Sequence, residues 1–378
     1  MLEVRAGSRI AKLLYLLTVA GEFPMCLISL LGSYQSQMRL IQKATETCEY
    51  LNCATKERCT AKVLTVIGRG RQKSLRLLSG VEPILKWLGL WTLFQELHGG
   101  FGYSGGREHR DRAQRLSESY VMMFLAGLEI NPMQMPKLQL QTMSNLLVDK
   151  QCYYSSKQLK EVSILEMNKH MYTRIVGAVF ANGNAYAVYN TRDEIMKWKG
   201  NGEKKTLVNL EEVSRMNANL HRIKSAILFG KDMDIAVATL RQKENTKRLE
   251  FCFDGIYSHI HFIPMTDNGV RQLRLLLMED WKEELLSLLF PDSARSYDKD
   301  TLEYDASIDG KYILSFLDGD IARLQRFRRG AQGVEGEYEV LCFPFQVKLL
   351  KDYLGDLVKI KTVKLEVIED ALGLGGEK

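Results

Sequence analysis

Hydrophobic positions in the first eighty residues follow a helical period and then an alternating one. In residues 8–18, SRIAKLLYLLT, apolar side chains recur at Ile10, Leu13, Leu14 and Leu17, one face of a helix that Ser8 is placed to cap. Gly21-Glu22-Phe23-Pro24 reads as a break. A short apolar run, residues 25–31, closes at Gly32. A third helix is expected from Ser33 to about Tyr50, with Met38, Ile41, Ala44 and Cys48 turned inward and a polar opposite face of Gln35, Ser36, Gln37, Arg39 and Lys43. Residues 61–79, AKVLTVIGRGRQKSLRLLS, then read as two strands, Val63, Thr65 and Ile67 on one and Leu75, Leu77 and Leu78 on the other. Glycines at 68 and 70 let the tip turn, and Arg69, Arg71 and Lys73 put three cations within five residues of it.

Past a glycine-rich stretch at residues 99–106, a helix is expected over residues 108–128, opened by arginines and with Leu116, Tyr120, Met123 and Phe124 inside. Residues 131–170 read as a helical connection. The remainder mixes periods. Residues 174–180 and 185–189 form a hairpin about Asn182-Gly183-Asn184, and a helix follows at residues 210–220. Strands are expected at residues 225–229, 235–238, 249–253 and 258–263, and one amphipathic helix over residues 268–290. A second hairpin spans residues 302–317 and turns at Asp309-Gly310. A strand at 338–343, a helix at 347–353 and a strand at 358–367 complete the chain. So many hairpins exclude a purely parallel sheet. The expected fold class is α+β: an N-terminal winged helix-turn-helix with a helical extension over residues 1–130, the connection, and a mixed α/β domain over residues 171–378.

Charge sharpens the picture. The 378-residue chain carries 52 Lys and Arg against 46 Asp and Glu. Residues 1–115 hold 17 of these cations and 9 of the anions, a net +8, which leaves −2 for the rest. A basic module joined to a near-neutral domain is the charge distribution of a nucleic-acid binder. Polar residues near the start of a third helix suit base edges in the major groove, and cations on a hairpin suit phosphates. The residues expected to meet duplex DNA are Gln35, Ser36, Gln37, Arg39, Lys43, Arg69, Arg71, Lys73, Arg76, Arg107 and Arg110. The plain alternative is a solvated polar helix beside an ordinary charged turn. No apolar segment approaches the length of a membrane helix, no signal peptide is read, and seven scattered cysteines fit a reducing cytoplasm.

Candidate chemistry elsewhere is sparse. Pro291-Asp292 followed by Asp309-Gly310-Lys311 meets the pattern of a restriction-type nuclease core, in which two carboxylates hold a metal beside a lysine. Yet Asp309-Gly310 is also a turn dipeptide, which would place it at an exposed tip. Asp232 and Asp234 alternate along a loop and strand, and His259 and His261 share one strand face without a third ligand evident from spacing. Cys48, Cys53 and Cys59 match no common zinc spacing. Residues 323–329, RLQRFRR, are a basic cluster that either contacts nucleic acid or is solvated. Walker, dinucleotide and nucleophile-elbow motifs are absent from the sequence. No cofactor, no metal and no catalytic residue are expected.

The order of parts resembles the replication-relaxation family of Gram-positive plasmids and integrative or conjugative elements. The residues that carry the likeness are SRIAKLLYLLT, TVIGRGRQKSLRLLS and GGREHRDRAQRLSESYVMMFLAGL, with RIVGAVFANGNAYAVYNTRDEIMKWKG and EVLCFPFQVKLLKDYL in the second domain. The resemblance implies binding of double-stranded DNA at an origin or transfer site beside a relaxase or replication protein, and it supplies no catalytic residues; the expected protein is a cytoplasmic, non-enzymatic DNA binder. A homodimer would meet two half-sites. The alternatives are the metal-dependent nuclease and a transcription regulator of a mobile element. Residues 45–60 are longer and richer in cysteine than a minimal winged helix needs.

Overall fold

The computed structural model describes residues 1–102, 107–128, 130, 151–161, 174–181, 184–196, 207–208, 210–211, 223–242, 257–296 and 302–375. The chain is mixed α/β with several small sheets, in two compact units built on Met1–Leu125 and on Met135–Lys378.

The first unit opens with β1 (Leu2–Val4) and α1 (Arg9–Ala20). Ser8 caps α1 by accepting from the Ala11 N–H at 3.4 Å, and Gly21 ends it at φ 78°, a conformation that only glycine adopts without strain. Phe23–Pro24, expected to be only a break, is a two-residue strand, β2. A 3₁₀ turn (Met25–Leu31) leads to α2 (Tyr34–Thr45), which ends five residues earlier than its pattern suggested. The chain straightens there because Cys48–Asn52 is β3, paired antiparallel with β4 (Arg58–Ala61) and parallel with β1. Cys48 therefore belongs to a strand and not to the helix.

The basic hairpin forms as expected, from β5 (Leu64–Ile67) and β6 (Ser74–Leu77), with Leu64 opposite Leu77. β6 also pairs with β2, giving the order β2-β6-β5. Short helices α3 (Glu82–Trp87) and α4 (Trp91–His98) precede α5 (Arg107–Leu125). Gln114 of α5 donates from Nε2 to the Gln72 carbonyl at 2.7 Å and to Ser74 Oγ at 3.0 Å, bracing the hairpin base. Leu13, Leu14, Leu17, Phe23, Leu75 and Val121 are wholly buried in this unit.

In the second unit, β7 (Cys152–Ser155) and α6 (Ser156–Glu161) replace part of the expected helical connection, the rest of which lies outside the described residues. β7 pairs with β8 (Ile175–Ala181), which forms the expected hairpin with β9 (Asn184–Arg192), although its Asn182-Gly183 turn lies outside the described residues. β10 (Ser225–Gly230), α7 (Met233–Gln242) and β11 (His259–Pro264) complete a five-stranded sheet of order β11-β10-β9-β8-β7, with β9, β10 and β11 parallel. Residues 235–238, expected as a strand for their β-branched content, lie inside α7, while the strand expected at 249–253 lies outside the described residues. The single long helix expected next is two, α8 (Asp267–Leu276) and α9 (Trp281–Leu289), broken where Asp280 takes φ 46°.

A second sheet follows from β12 (Ala306–Ile308), β13 (Lys311–Ser315), β14 (Glu337–Cys342) and β15 (Lys359–Thr362), in that order. Its first pair is antiparallel and turns at Asp309-Gly310, both at positive φ, as the sequence signalled. The other pairs are parallel, crossed by α10 (Ile321–Gly333) and α11 (Val347–Leu354), and α12 (Leu365–Ala371) follows β15 where the strand was expected to continue. One hydrophobic core joins both sheets, through Tyr189, Leu228, Phe262, Phe316, Phe327 and Val340.

Candidate nucleic-acid interface

The expected DNA-facing residues divide by environment. On α2, Gln35, Arg39 and Lys43 are exposed and Ser36 is half-buried. Gln37 is not available to a partner: it is 1% exposed, and its Nε2 donates to the Leu31 carbonyl at 2.7 Å, closing the turn before the helix. It sits one residue after Ser36, where the helix rotates it into the unit. Arg76 is also accounted for internally. Its guanidinium donates twice to Oε2 of Glu22, at 2.9 and 3.3 Å, and the Glu22 side chain is 2% exposed. Arg76 therefore neutralises a buried carboxylate instead of facing solvent.

Ser36, Arg39 and Lys43 line one cleft of about 460 Å³ together with Glu3, Arg5, Ser8 and Arg9. Arg9 donates to Ser36 Oγ across it, tying the first turn of α1 to α2. The cleft thus gathers four cations against one carboxylate, beside the first turn of α1. Arg5 and Arg9 were not expected from helical pattern, because they precede or begin the hydrophobic repeat. The N-terminal charge excess was the signal for them.

At the hairpin tip Arg69, Arg71 and Lys73 are all exposed, on a 3₁₀ turn (Gly70–Gln72) that Gly68 and Gly70 make available at φ 78° and 57°. These three do not line the α2 cleft. Arg110 on α5 is half-buried, and the Arg107 side chain lies outside the described residues. Asp111, one residue on, accepts from Gln72 Nε2 at 3.3 Å, so the start of α5 reaches the tip.

The other candidates find structural partners. Asp309 occupies the hairpin tip, Lys311 pairs with Glu337 at 3.4 Å, and Asp292 pairs with Arg295. Asp232 accepts from the Asp234 N–H at 3.2 Å at the start of α7, and Asp234 pairs with Lys348. In RLQRFRR, which forms part of α10, Arg323 is buried against Glu303 and Asp305 at 2.6 Å each, and Arg326 joins Glu303. Arg328 lies 4.4 Å from the centre of the Tyr353 ring. This cluster is thus largely a core charge network. Tyr50 lies opposite Cys59 on the β3–β4 ladder, and burial raises the Cys59 thiol. His259 and His261, by contrast, are brought to Asp320 and Asp318.

No described helix is long and apolar enough to cross a membrane. Compared with family models, with characterised proteins and with solved structures, the chain matches none.

Proposed function

We propose that the first unit is a winged helix-turn-helix and that the protein binds duplex DNA without cleaving it. The observation that carries this reading is the sheet order β2-β6-β5 with its connections: α1, a short strand, a 3₁₀ turn, α2, and then a hairpin whose second strand is central. In a winged helix those parts present the second of two successive helical segments to the major groove and the hairpin tip to the backbone. Here that helix carries Gln35, Arg39 and Lys43 outward, and the tip carries Arg69, Arg71 and Lys73. The β3–β4 hairpin is an insertion between helix and wing, with β1 covering one of its edges. The cleft cations supply a phosphate seat beside α2. By its resemblance to the replication-relaxation family, the expected target is an origin or transfer site of a mobile element. The partner is a relaxase or replication protein in the cytoplasm, and a homodimer would span paired half-sites.

The test is fluorescence anisotropy of the full-length chain on duplexes from the DNA flanking its gene, across a salt series. Each phosphate contact contributes about −0.9 to the slope of log K against log salt, so Arg39→Ala with Lys43→Ala should flatten that slope by about 2. Absence of duplex binding at about 50 mM salt, or an unchanged slope in the double variant, would overturn the reading.

A further inference from the structure

The second unit holds a group of metal-ligating atoms that DNA binding leaves unused. His261 is the third residue of β11, and Asp318 and Asp320 lie in the loop between β13 and α10. That loop runs alongside β11, where the Phe262 N–H donates to the Gly319 carbonyl at 2.9 Å and the Ile260 N–H to Asp320 Oδ1 at 3.0 Å. All three side chains are buried, and each offers a ligand atom within 4.8 Å of the others.

Three features distinguish this group from an ordinary core ion pair. His261 Nδ1 stands 3.7 Å from Asp318 Oδ2, too far for a hydrogen bond, and this buried nitrogen has no hydrogen-bond partner. An ion with bonds of 2.0–2.2 Å holds neighbouring ligand atoms about 3–3.5 Å apart, so the gap suits a shared ion better than a direct contact. Polar atoms without hydrogen-bond partners also gather around the same loop. Both amide atoms of buried Gln272 lack one, and so does Ser315 Oγ. Gln272 packs over Gly319, where a Cβ would come within 2.4 Å of its Nε2. Finally, among the described residues the four carboxylates Glu303, Asp305, Asp318 and Asp320 are gathered around the guanidinium groups of Arg323 and Arg326, with His259 against Asp320. Buried carboxylates in excess of their cations are costly without a further positive charge.

The surroundings fit ligation. Asp320 is held in place on both oxygens. Oδ1 accepts from three backbone N–H groups, of Ile260, Ala322 and Arg323, and His259 Nδ1 lies 2.7 Å from Oδ2. A carboxylate fixed in this way is the outer-shell arrangement that metal sites use to orient a ligand. The rings of Tyr186 and Trp281 flank His261, with centroids 6.1 and 5.8 Å away. Both residues also line a neighbouring cavity of about 420 Å³, shared with Asp305 and Arg295, which His261, Asp318 and Asp320 do not themselves line.

We propose that His261, Asp318 and Asp320 form a binding site for one divalent transition-metal ion, with His259 as the residue that positions Asp320. One imidazole and two carboxylates favour Zn²⁺ or Mn²⁺ over Ca²⁺ or Mg²⁺, which take oxygen ligands. The ion ties β11 of the first sheet to the loop that leaves the second.

The full-length chain, stripped with a chelator, would be titrated with Zn²⁺ and with Mn²⁺ by calorimetry, and its metal content counted after dialysis. One ion per chain is expected, with affinity reduced more than about 100-fold in Asp318→Asn and His261→Gln and 10- to 100-fold in His259→Ala. Metal should raise the melting temperature of the wild type and leave that of Asp318→Asn unchanged. Co²⁺ bound to the wild type should show no thiolate charge-transfer band, which separates this site from the cysteines without relying on any variant. A wild-type chain that binds no stoichiometric ion overturns the proposal. So does affinity unchanged in folded Asp318→Asn and His261→Gln, or a Co²⁺ spectrum dominated by thiolate.

Discussion

Replacing Arg76 by alanine removes the guanidinium that meets the Glu22 carboxylate where β6 pairs with β2. The Glu22 side chain is 2% exposed and that of Arg76 16%, so the carboxylate would be left in the interior without its principal cation. Removing one partner of a buried pair costs about 3–5 kcal/mol, and partial exposure of the arginine lets some water reach the gap, which places this case near 3 kcal/mol. Hydrogen exchange of peptides covering β5 and β6 in the full-length chain reads this unit without interference from the other. At 1.4 kcal/mol per tenfold, their protected amides should exchange about 100-fold faster. Arg76→Met combined with Glu22→Leu should recover most of the loss, because an apolar pair of similar volume needs no compensating charge. The salt slope of DNA binding by the surviving folded fraction should not change. The reasoning fails if Arg76→Ala leaves exchange within twofold of wild type while flattening the salt slope by about 1, since Arg76 would then be a phosphate contact.

Gly68→Ala should loosen the wing. Gly68 sits at φ 78°, and a Cβ there would lie 2.2 Å from the Gln72 carbonyl oxygen, a strain of roughly 1–3 kcal/mol that limited trypsinolysis after Arg69 and Arg71 would report as faster cleavage. Burial pushes the Cys342 thiol up to about 12, so a thiol reagent at neutral pH should label exposed Cys26 in the native chain and reach Cys342 only after denaturation. Burial raises the Glu303 carboxyl, but the Arg326 hydrogen bond and the charge of Arg323 outweigh it and hold the group below its ordinary 4.5. With the folded value depressed, its contribution is complete above about pH 4.5 and is lost as the pH falls through the folded value. Urea unfolding of Glu303→Gln should therefore show a flatter acid limb than wild type, and equal slopes would contradict the assignment.

Features set by neighbours in the chain were legible, and those set by distant partners were not. Ser8 and Gly21 bracket α1, and Asp309-Gly310 turns β12 into β13, because caps and tight turns are fixed by a few adjacent residues. β2 was hidden because Phe23-Pro24 looks like a break, and only its pairing with Leu75 and Ser74, fifty residues on, makes it a strand. Residues 235–238 have strand-like side chains, yet tertiary packing makes them helix, with Asp234 in the first turn. At the proposed interface, Arg39, Lys43, Arg69, Arg71 and Lys73, expected to meet DNA, stand exposed on the surface. Gln37 was misplaced by one step of helix rotation, and Arg76 by a carboxylate that no local pattern reveals. His259 and His261 lacked a visible third ligand because Asp318 and Asp320 lie nearly sixty residues downstream.

That separation follows from how the second unit is built. A hairpin followed by two parallel additions occurs twice, as β8-β9-β10-β11 and as β12-β13-β14-β15. Small details repeat as well. The Met265 N–H returns to the carbonyl of Gly230, the last residue of β10, at 2.8 Å, and the Val363 N–H returns to that of Cys342, the last residue of β14, at 2.9 Å. Corresponding helices face each other, α7 and α11 through Asp234 with Lys348, and α8 and α12 through Arg271 with Glu366 and Glu369. Strand β10, Ser225–Gly230, reads as a near-continuous apolar run because it lies inside a parallel sheet covered by helices, whereas β11 and β14 carry His261 and Glu339 into the same interior. Polar groups forced into such an interior must find partners in the other half. The His261, Asp318 and Asp320 group sits where the last strand of the first half meets the loop leaving the second strand of the other, so a ligand there bridges the two halves instead of decorating one. Loss of that ligand should therefore loosen β11 and the residue 316–320 loop together, a coupling that hydrogen exchange of the metal-stripped chain can read directly.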